Sequence, residues 1–318
     1  MTRAFVFPGQ GSQAVGMGRD LAAAFPAARQ VFEEVDDALK QKLSKLMFEG
    51  PESELTLTAN AQPALMAVSV AVLRVLETEA KLDLGKVAKY VAGHSLGEYS
   101  ALAAARTFAL ADTARLLRLR GETMQKAVPV GEGAMAALLG LDLEAAQSVA
   151  AEATKAPDGT TEICQAANDN APGQVVVSGA RPAVERALEI AKGKGAKRAI
   201  LLPVSAPFHC ALMKPAADAM AEALSSTAMA PPRVPLVANV TASAVSDPPA
   251  IRDLLVQQVT AMVRWRESCL FMKAQGVATL VELGAGKVLT GLARRIDPEL
   301  SGVSVQTPAD IEAMAKTL

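Results

Sequence analysis

A chain of 318 residues with 51 % hydrophobic and 20 % charged side chains cannot be a disordered segment, a disulfide miniprotein or a collagen-like repeat. Thirty-two basic against thirty-three acidic residues leave a formal charge of -1, and aromatics reach only 3 %, so neither phosphate attraction nor base stacking points to nucleic acid. The three cysteines, Cys164, Cys210 and Cys269, lie far apart with no C-x-x-C pair, which argues against a disulfide framework or a zinc site and fits a reducing cytoplasm.

In chain order, the apolar run 4–7 stops at Pro8, too short for a signal-peptide core, and reads as a strand. A helical pattern covers 22–39. The uncharged stretch 55–73 carries Asn60, Gln62, Pro63 and Ser69, the mark of a buried helix and not of a membrane span. A second strand, 87–92, runs into a helix that starts at Leu96. Strands alternating with helices imply a parallel sheet covered on its faces. The middle then changes character: strand 134–141, helix 143–153, strands 163–167 and 175–178, helix 183–191 and strand 198–204 give the β-α-β-β-α-β order of a ferredoxin-like unit. Gly131 and Gly133 bound it on one side and Pro203 to Pro207 on the other. Strands near 236–240, 279–283 and 303–306 restore the α/β pattern. The organisation expected is a large α/β subdomain, residues 1–131 and 205–318, with a small subdomain, 132–204, inserted into it.

The sharpest local signal is Gly93-His94-Ser95-Leu96-Gly97, a G-x-S-x-G turn between a strand and a helix. In a nucleophile elbow the glycines flank a serine on a tight bend, where neighbouring chain leaves no room for a side chain. Ser95 would stand at a helix N-terminus, with backbone N–H groups such as that of Leu96 aimed at a developing oxyanion. The plainer reading is a turn that merely starts a helix. A serine nucleophile needs a base, and the chain has two histidines, His94 and His209. His94 adjoins Ser95 at the bend, where successive side chains diverge, which suits holding the turn. His209 lies in the proline-punctuated loop Ala206-Pro207-Phe208-His209-Cys210, just after the small domain, and is the candidate base. No acidic third member is evident.

On the helical pattern around 112–124, Leu117, Arg120 and Met124 share one stripe, whereas Arg115, Arg118 and Glu122 share a charged one. Arg120 therefore points with the apolar side and needs a partner, either a protein carboxylate or that of a substrate. Two glycine motifs compete for attention. Gly9-Gln10-Gly11-Ser12-Gln13-Ala14 matches the G-x-G-x-x-A dinucleotide fingerprint after a strand, but the acidic residues some twenty positions on, Glu33, Glu34 and Asp36, fall inside a helical pattern. Gly284-Ala285-Gly286-Lys287 lacks both the first glycine and the Ser or Thr of a phosphate loop.

Together, Phe7-Pro8-Gly9-Gln10-Gly11-Ser12-Gln13, Gly93-His94-Ser95-Leu96-Gly97-Glu98, Arg120-Gly121, the loop ending in His209, Val263-Arg264-Trp265 and Glu282-Leu283-Gly284-Ala285-Gly286-Lys287-Val288-Leu289 resemble the malonyl-CoA:acyl carrier protein transacylases, acyltransferases of fatty acid and polyketide synthesis. The resemblance spans nearly the whole chain. It implies an α/β-hydrolase-like large subdomain with an inserted ferredoxin-like small one. It also implies Ser95 as the acylated nucleophile, His209 as general base and acid, and the N–H groups of Gln10 and Leu96 as oxyanion hole. Arg120 would bind the free malonyl carboxylate, and the main-chain carbonyl of Gln258 would orient His209 in place of an acid. Asn168 or Asn170 resembles a polar position near the acyl group. Met262 and Ala285 stand where proline is common in the family, and Phe208 resembles the pattern that favours malonyl over α-branched acyl groups.

The implied partners are malonyl-CoA and acyl carrier protein, with coenzyme A as a carrier of substrate and no metal or other cofactor. A cytoplasmic monomer is expected. Because carrier proteins are acidic, a local basic rim is sought at Lys192, Lys194, Lys197 and Arg198, or at Arg294 and Arg295. The competing readings are a serine hydrolase or thioesterase, a dinucleotide-binding oxidoreductase, and a noncatalytic carrier-docking protein.

Overall fold

The computed structural model describes residues 2–317. Ten strands form two sheets: β1 (Arg3–Phe7), β2 (Ala88–Gly93), β3 (Gly133–Leu139), β4 (Cys164–Ala171), β5 (Gln174–Ala180), β6 (Arg198–Leu201), β7 (Leu236–Val237), β8 (Ala244–Val245), β9 (Thr279–Leu283) and β10 (Ser301–Val305). The larger sheet has the order β10-β9-β1-β2-β7-β8, parallel throughout except that β8 returns antiparallel to β7. The smaller sheet, β4-β5-β3-β6, is antiparallel, with the helices Leu143–Ala153 and Arg181–Gly193 between its strands in sequence. Its element order and strand order are those of a ferredoxin-like unit, and the whole is the two-subdomain α/β fold expected from the sequence.

β1 lies at the centre of the large sheet and is buried on both faces, as the continuous apolar run Ala4-Phe5-Val6-Phe7 requires. Phe5 and Phe7 enter one core with the helix Thr58–Glu79, while Ala4 and Val6 enter another with Trp265 and Leu280. That helix is long and apolar enough to cross a membrane by composition, yet most of it is buried against the rest of the chain. A third core, built from Leu138, Val149, Val177 and Val184 among others, lies between the small sheet and its two helices.

Some boundaries differ from the sequence reading. The helix expected over 22–39 is two helices, Arg19–Ala24 and Pro26–Leu39, because the residue before a proline is driven out of the helical region and Phe25 is extended, φ -127°. The strand expected over 163–167 continues to Ala171 and turns at Gly173, φ 69°. The one near 236–240 shrinks to two residues, since Asn239 leaves the ladder to serve the turn after β2. The dinucleotide fingerprint fails on geometry. After β1 the chain passes through turns until Arg19, so no helix opens on the glycines to receive a pyrophosphate. Glu282 fills the N-terminus of the helix Val288–Ile296 behind Gly284–Lys287, accepting from the amides of Leu289 and Thr290.

Two glycines are dictated by backbone contact. A Cβ on Gly93 would stand 1.9 Å from the Gly97 carbonyl, and one on Gly97 would stand 2.2 Å from the carbonyl oxygen of Phe7. Gly291, inside a helix, faces open space. Gly93→Ala and Gly97→Ala should each lower stability by about 3 kcal/mol or more, the upper range for forced overpacking. Gly291→Ala should be neutral or stabilise by up to about 1 kcal/mol. Thermal unfolding of the three variants checks this ordering.

Candidate active site

β2 ends at Gly93 and the helix Gly97–Ala104 begins four residues later, so the chain reverses within His94, Ser95 and Leu96. Ser95 occupies the left-handed region, φ 53°, a strained state for a non-glycine residue that turns its side chain out of the bend. Asn239, in the turn just after β7, holds the bend. Its Oδ1 accepts from the Ser95 amide at 2.8 Å and its Nδ2 donates to the Gly93 carbonyl at 2.7 Å. The loop after β1 lies against the same bend, where the His94 amide donates to the Phe7 carbonyl at 3.0 Å.

Ser95 Oγ lies 2.7 Å from His209 Nε2. On the other side of the ring, Nδ1 lies 2.9 Å from the main-chain carbonyl of Gln258. A carbonyl can only accept, so Nδ1 carries the proton and the lone pair of Nε2 faces Ser95. His209 is also at positive φ, 58°, and only 3 % exposed. Burial, with the Arg120 charge second, pushes its pKa down from 6.5 to about 3, so the imidazole is neutral and able to accept a proton at neutral pH.

Arg120 is 1 % exposed, on the buried stripe of the helix Leu110–Ala127 with Leu117 and Met124. Its Nη1 donates to Gln62 Oε1 at 2.8 Å, and its Nη2 donates to Gln258 Oε1 at 2.9 Å and to Ser95 Oγ at 3.2 Å. The guanidinium also lies 5.8 Å from the centre of the Tyr99 ring. No carboxylate pairs with it within 4.0 Å among the described residues, and its Nε is buried without an acceptor there. The structural ion pair is therefore not its role.

Ser95, His209 and Arg120 line one cavity of ≈ 580 Å³ with Gln10, Leu96, Gln62, Asn168, Asn170 and Phe208. The amides of Gln10 and Leu96 donate to no acceptor among the described residues, while the Gln10 side chain is tied to Thr58, with Nε2 3.2 Å from Oγ1. His94 is spent elsewhere: its Nε2 meets Asn170 Oδ1 at 2.8 Å and its ring packs toward Trp265. Met262 and Ala285 lie outside this cavity. Of the expected basic rim, Lys192 is paired with Glu189 and Lys194 with Glu152, so their charge is largely compensated.

Sequence reasoning missed the polar network behind these groups. Glu98, 1 % exposed, accepts through Oε2 from the Asn239 amide at 3.0 Å and from Gln258 Nε2 at 2.9 Å. Gln258 Nε2 also donates to the Ser95 carbonyl at 2.9 Å. The available signals were a lone acid in a helix with all eight residues buried, and an asparagine directly after the apolar Leu236-Val237-Ala238.

A strained serine paired with a neutral, carbonyl-oriented imidazole on an α/β elbow defines an acyl-transferring class of enzyme. A family model described as an acyl transferase domain matches residues 4–304. The malonyl CoA-acyl carrier protein transacylase of Bacillus subtilis (strain 168) is 46 % identical over 315 residues, 99 % of this chain and 96 % of its own. The crystal structure of an acyl-carrier-protein-S-malonyltransferase from Bartonella henselae superposes with a TM-score of 0.95 at 59 % identity, covering 100 % of this chain and 99 % of that one. A malonyl-transacylase in complex with its type II PKS acyl-carrier protein superposes at 0.94 with 45 % identity, each chain fully covered. The chain belongs to the malonyl CoA-acyl carrier protein transacylase family, within the acyl transferase domains.

The buried acid and base leave opposite marks on stability. His209 stays neutral in the fold down to about pH 3, while the unfolded chain protonates it below 6.5, so this group lowers stability as pH falls through that window. Burial pushes Glu98 up to about 7 from 4.5, opposed by its bonds from Gln258 and Asn239 and by the Arg120 charge. The folded chain then holds a proton that the unfolded chain has released, and stability falls as pH rises from 4.5 to 7. Glu98→Gln removes that second dependence. The variant's stability relative to the parent should rise across this window by about 3 kcal/mol at most, and denaturant titrations at pH 4.5 and 7.5 measure it.

Proposed function

We propose that this chain transfers the malonyl group of malonyl-CoA to the phosphopantetheine thiol of an acyl carrier protein, through a malonyl ester on Ser95. The observation that carries this reading is the 2.7 Å contact between Ser95 Oγ and His209 Nε2 in a cavity that also presents the carboxylate-free Arg120. Ser95 Oγ attacks the thioester carbon as its proton passes to His209 Nε2, and the oxyanion is received by the amides of Gln10 and Leu96. Collapse breaks the carbon–sulfur bond, and the proton on His209 leaves with the coenzyme A thiol. The carrier's thiol then repeats the sequence in reverse, giving its proton to His209 and releasing Ser95. The Gln258 carbonyl holds the imidazole in register and stabilises the transient imidazolium, the part an acid plays in a triad.

Arg120 supplies the substrate preference. Its Nη2 lies 3.2 Å from Ser95 Oγ, and a malonyl carboxylate placed beside the guanidinium would offer acceptors that no protein carboxylate among the described residues provides. Phe208 on the cavity wall leaves less room for a branch at the α-carbon. No step calls for a metal or redox cofactor. The catalytic subdomain is assigned to 1–131 and 205–318, and the inserted one to 132–204. Lys197, Arg198, Arg294 and Arg295 are the remaining basic candidates for the carrier protein, and a cytoplasmic monomer is the working assignment.

Intact mass after mixing with malonyl-CoA should show one malonyl adduct on the parent and none on Ser95→Ala. An adduct surviving in Ser95→Ala removes the nucleophile assignment, and absence from both removes the substrate. Arg120→Ala should lose about 3 to 5 kcal/mol of malonyl recognition in kcat/KM, the scale for breaking a desolvated pair, while acetyl transfer is retained or raised. A serine hydrolase or thioesterase would instead release free malonate as fast as it forms the adduct. With His209 held neutral by burial, the acid limb of kcat/KM for acylation should lie well below the ordinary imidazole value of 6.5. A limb at 6.5 would mean that the base is solvated during the reaction.

A further inference from the structure

The Gln258 side chain stands between two charged groups. Its Oε1 faces Arg120 Nη2 at 2.9 Å, and its Nε2 faces Glu98 Oε2 and the Ser95 carbonyl, each at 2.9 Å. The two ends of a carboxamide have nearly the same shape, so packing alone does not decide which one meets Arg120. Polarity decides it. With the amide reversed, an NH2 group would point at a guanidinium that can only donate, and an amide oxygen would point at the Glu98 carboxylate and the Ser95 carbonyl, both acceptors.

Glu98 does not touch the cavity. It occupies a fully buried helix in which every other side chain except Ser100 is apolar, aromatic or absent, a position that an acid rarely takes without hydrogen-bond partners. Both bonds it accepts run to elements that hold reacting groups: the Asn239 amide, next to the side chain that grips the Ser95 amide, and the Gln258 side chain, on the residue whose carbonyl orients His209.

We propose that Glu98 is a positioning residue for acyl selection: it fixes the Gln258 carboxamide with its oxygen toward Arg120 and thereby aims the guanidinium at the carboxylate end of the acyl group. The effect is on preference between acyl groups more than on the serine–imidazole pair, because a neutral acyl group makes no use of the guanidinium's alignment. The acceptor oxygen, and not the charge, is what the arrangement requires. A glutamine at this position can present its own oxygen to the same two donors.

This inference rests on the malonyl reading above, and the experiment separates the two. Acylation of Ser95 by malonyl-CoA and by acetyl-CoA is timed by intact mass in the parent, Glu98→Gln, Glu98→Leu and Glu98→Asp. The ratio of the two rates within one preparation is insensitive to the fraction of protein folded. Glu98→Leu removes the acceptor, and Glu98→Asp withdraws it by one methylene. Each should lower the malonyl-to-acetyl ratio by about tenfold or more, with Glu98→Gln within about threefold of the parent. If Glu98 acts through Gln258, adding Glu98→Leu to Gln258→Met should shift the ratio no further than Gln258→Met alone. Should the leucine variant fail to fold, the aspartate variant decides, with Glu98→Asp placed on Gln258→Met in the same way. An unchanged ratio, or a full further drop on the Gln258→Met background, overturns the inference. A parent that accepts no malonyl group overturns the substrate assignment instead.

Discussion

The candidate site depends on how closely the carbonyl of Phe7, at the end of β1, approaches the first helical residue after β2. No side chain fits at Gly97 beneath that oxygen, nor at Gly93, whose missing Cβ lets the helix begin directly over the strand. With the two ends drawn together, Ser95 is held at positive φ and its side chain is turned into the cavity. Gln10, on the loop after β1, and Leu96, in the bend after β2, thus line the same cavity as Ser95. The central placement of β1 makes this possible. A strand buried on both faces and paired along both edges does not yield to the strain of its neighbour.

Behind the bend, Asn239, Glu98 and Gln258 satisfy one another, while the Tyr99 and Ser100 hydroxyls and Arg120 Nε have no partner among the described residues. Asn239 bonds the backbone on both sides of the bend, Glu98 bonds Asn239 and Gln258, and Gln258 bonds Ser95 and Arg120 while its carbonyl meets His209. Buried polar groups of this kind are tolerated when each finds partners, and the low local dielectric then strengthens every bond they make. Burial has a chemical consequence for the ionisable members. It holds His209 neutral and raises the carboxyl of Glu98, so the Arg120 charge stands with weak compensation. An incoming carboxylate would meet a cation for which the interior supplies only amides, a hydroxyl and an aromatic ring.

Much of the fold was legible because its signals are local and periodic. The alternation of short apolar runs with helical patterns gave the parallel sheet, and the change of order after Gly131 gave the ferredoxin-like unit. Elements were misjudged where a single residue overruled the pattern, as Pro26 did in splitting one helix, or where tertiary demand did, as Asn239 did in ending β7 early. At the site, Ser95 was legible from its flanking glycines, and His209 from its proline-punctuated loop and from scarcity, since the chain offers one other histidine. The elbow itself pointed to the Leu96 amide, whereas resemblance to a family, and not spacing, pointed to Gln10 and Gln258. Glu98 and Asn239 were not singled out because what makes them matter is convergence in space: 141 positions separate them along the chain.

The smaller sheet bears on the competition between thiol and water. Val263 is laddered to β4, donating to Ala167 and accepting from Asp169, and Arg266 closes on the buried carboxylate of Asp169 at 2.8 Å. β4 is thereby fastened to the segment leading into the helix Trp265–Ala274, and Asn168 and Asn170 are carried to the cavity on the face opposite Asp169. Met135, Val176 and Leu202 add an apolar wall from the same part of the molecule, and Phe208 joins it from the loop just after. A wall bonded into the large subdomain at β4 can limit water around an ester without a closing motion. A thiol on a long pantetheine arm would have the reach to pass such a wall, and a wall that held back bulk solvent would favour it over water. On this geometry, favouring transfer over hydrolysis calls for no group beyond those that make the ester, only a fixed boundary around it.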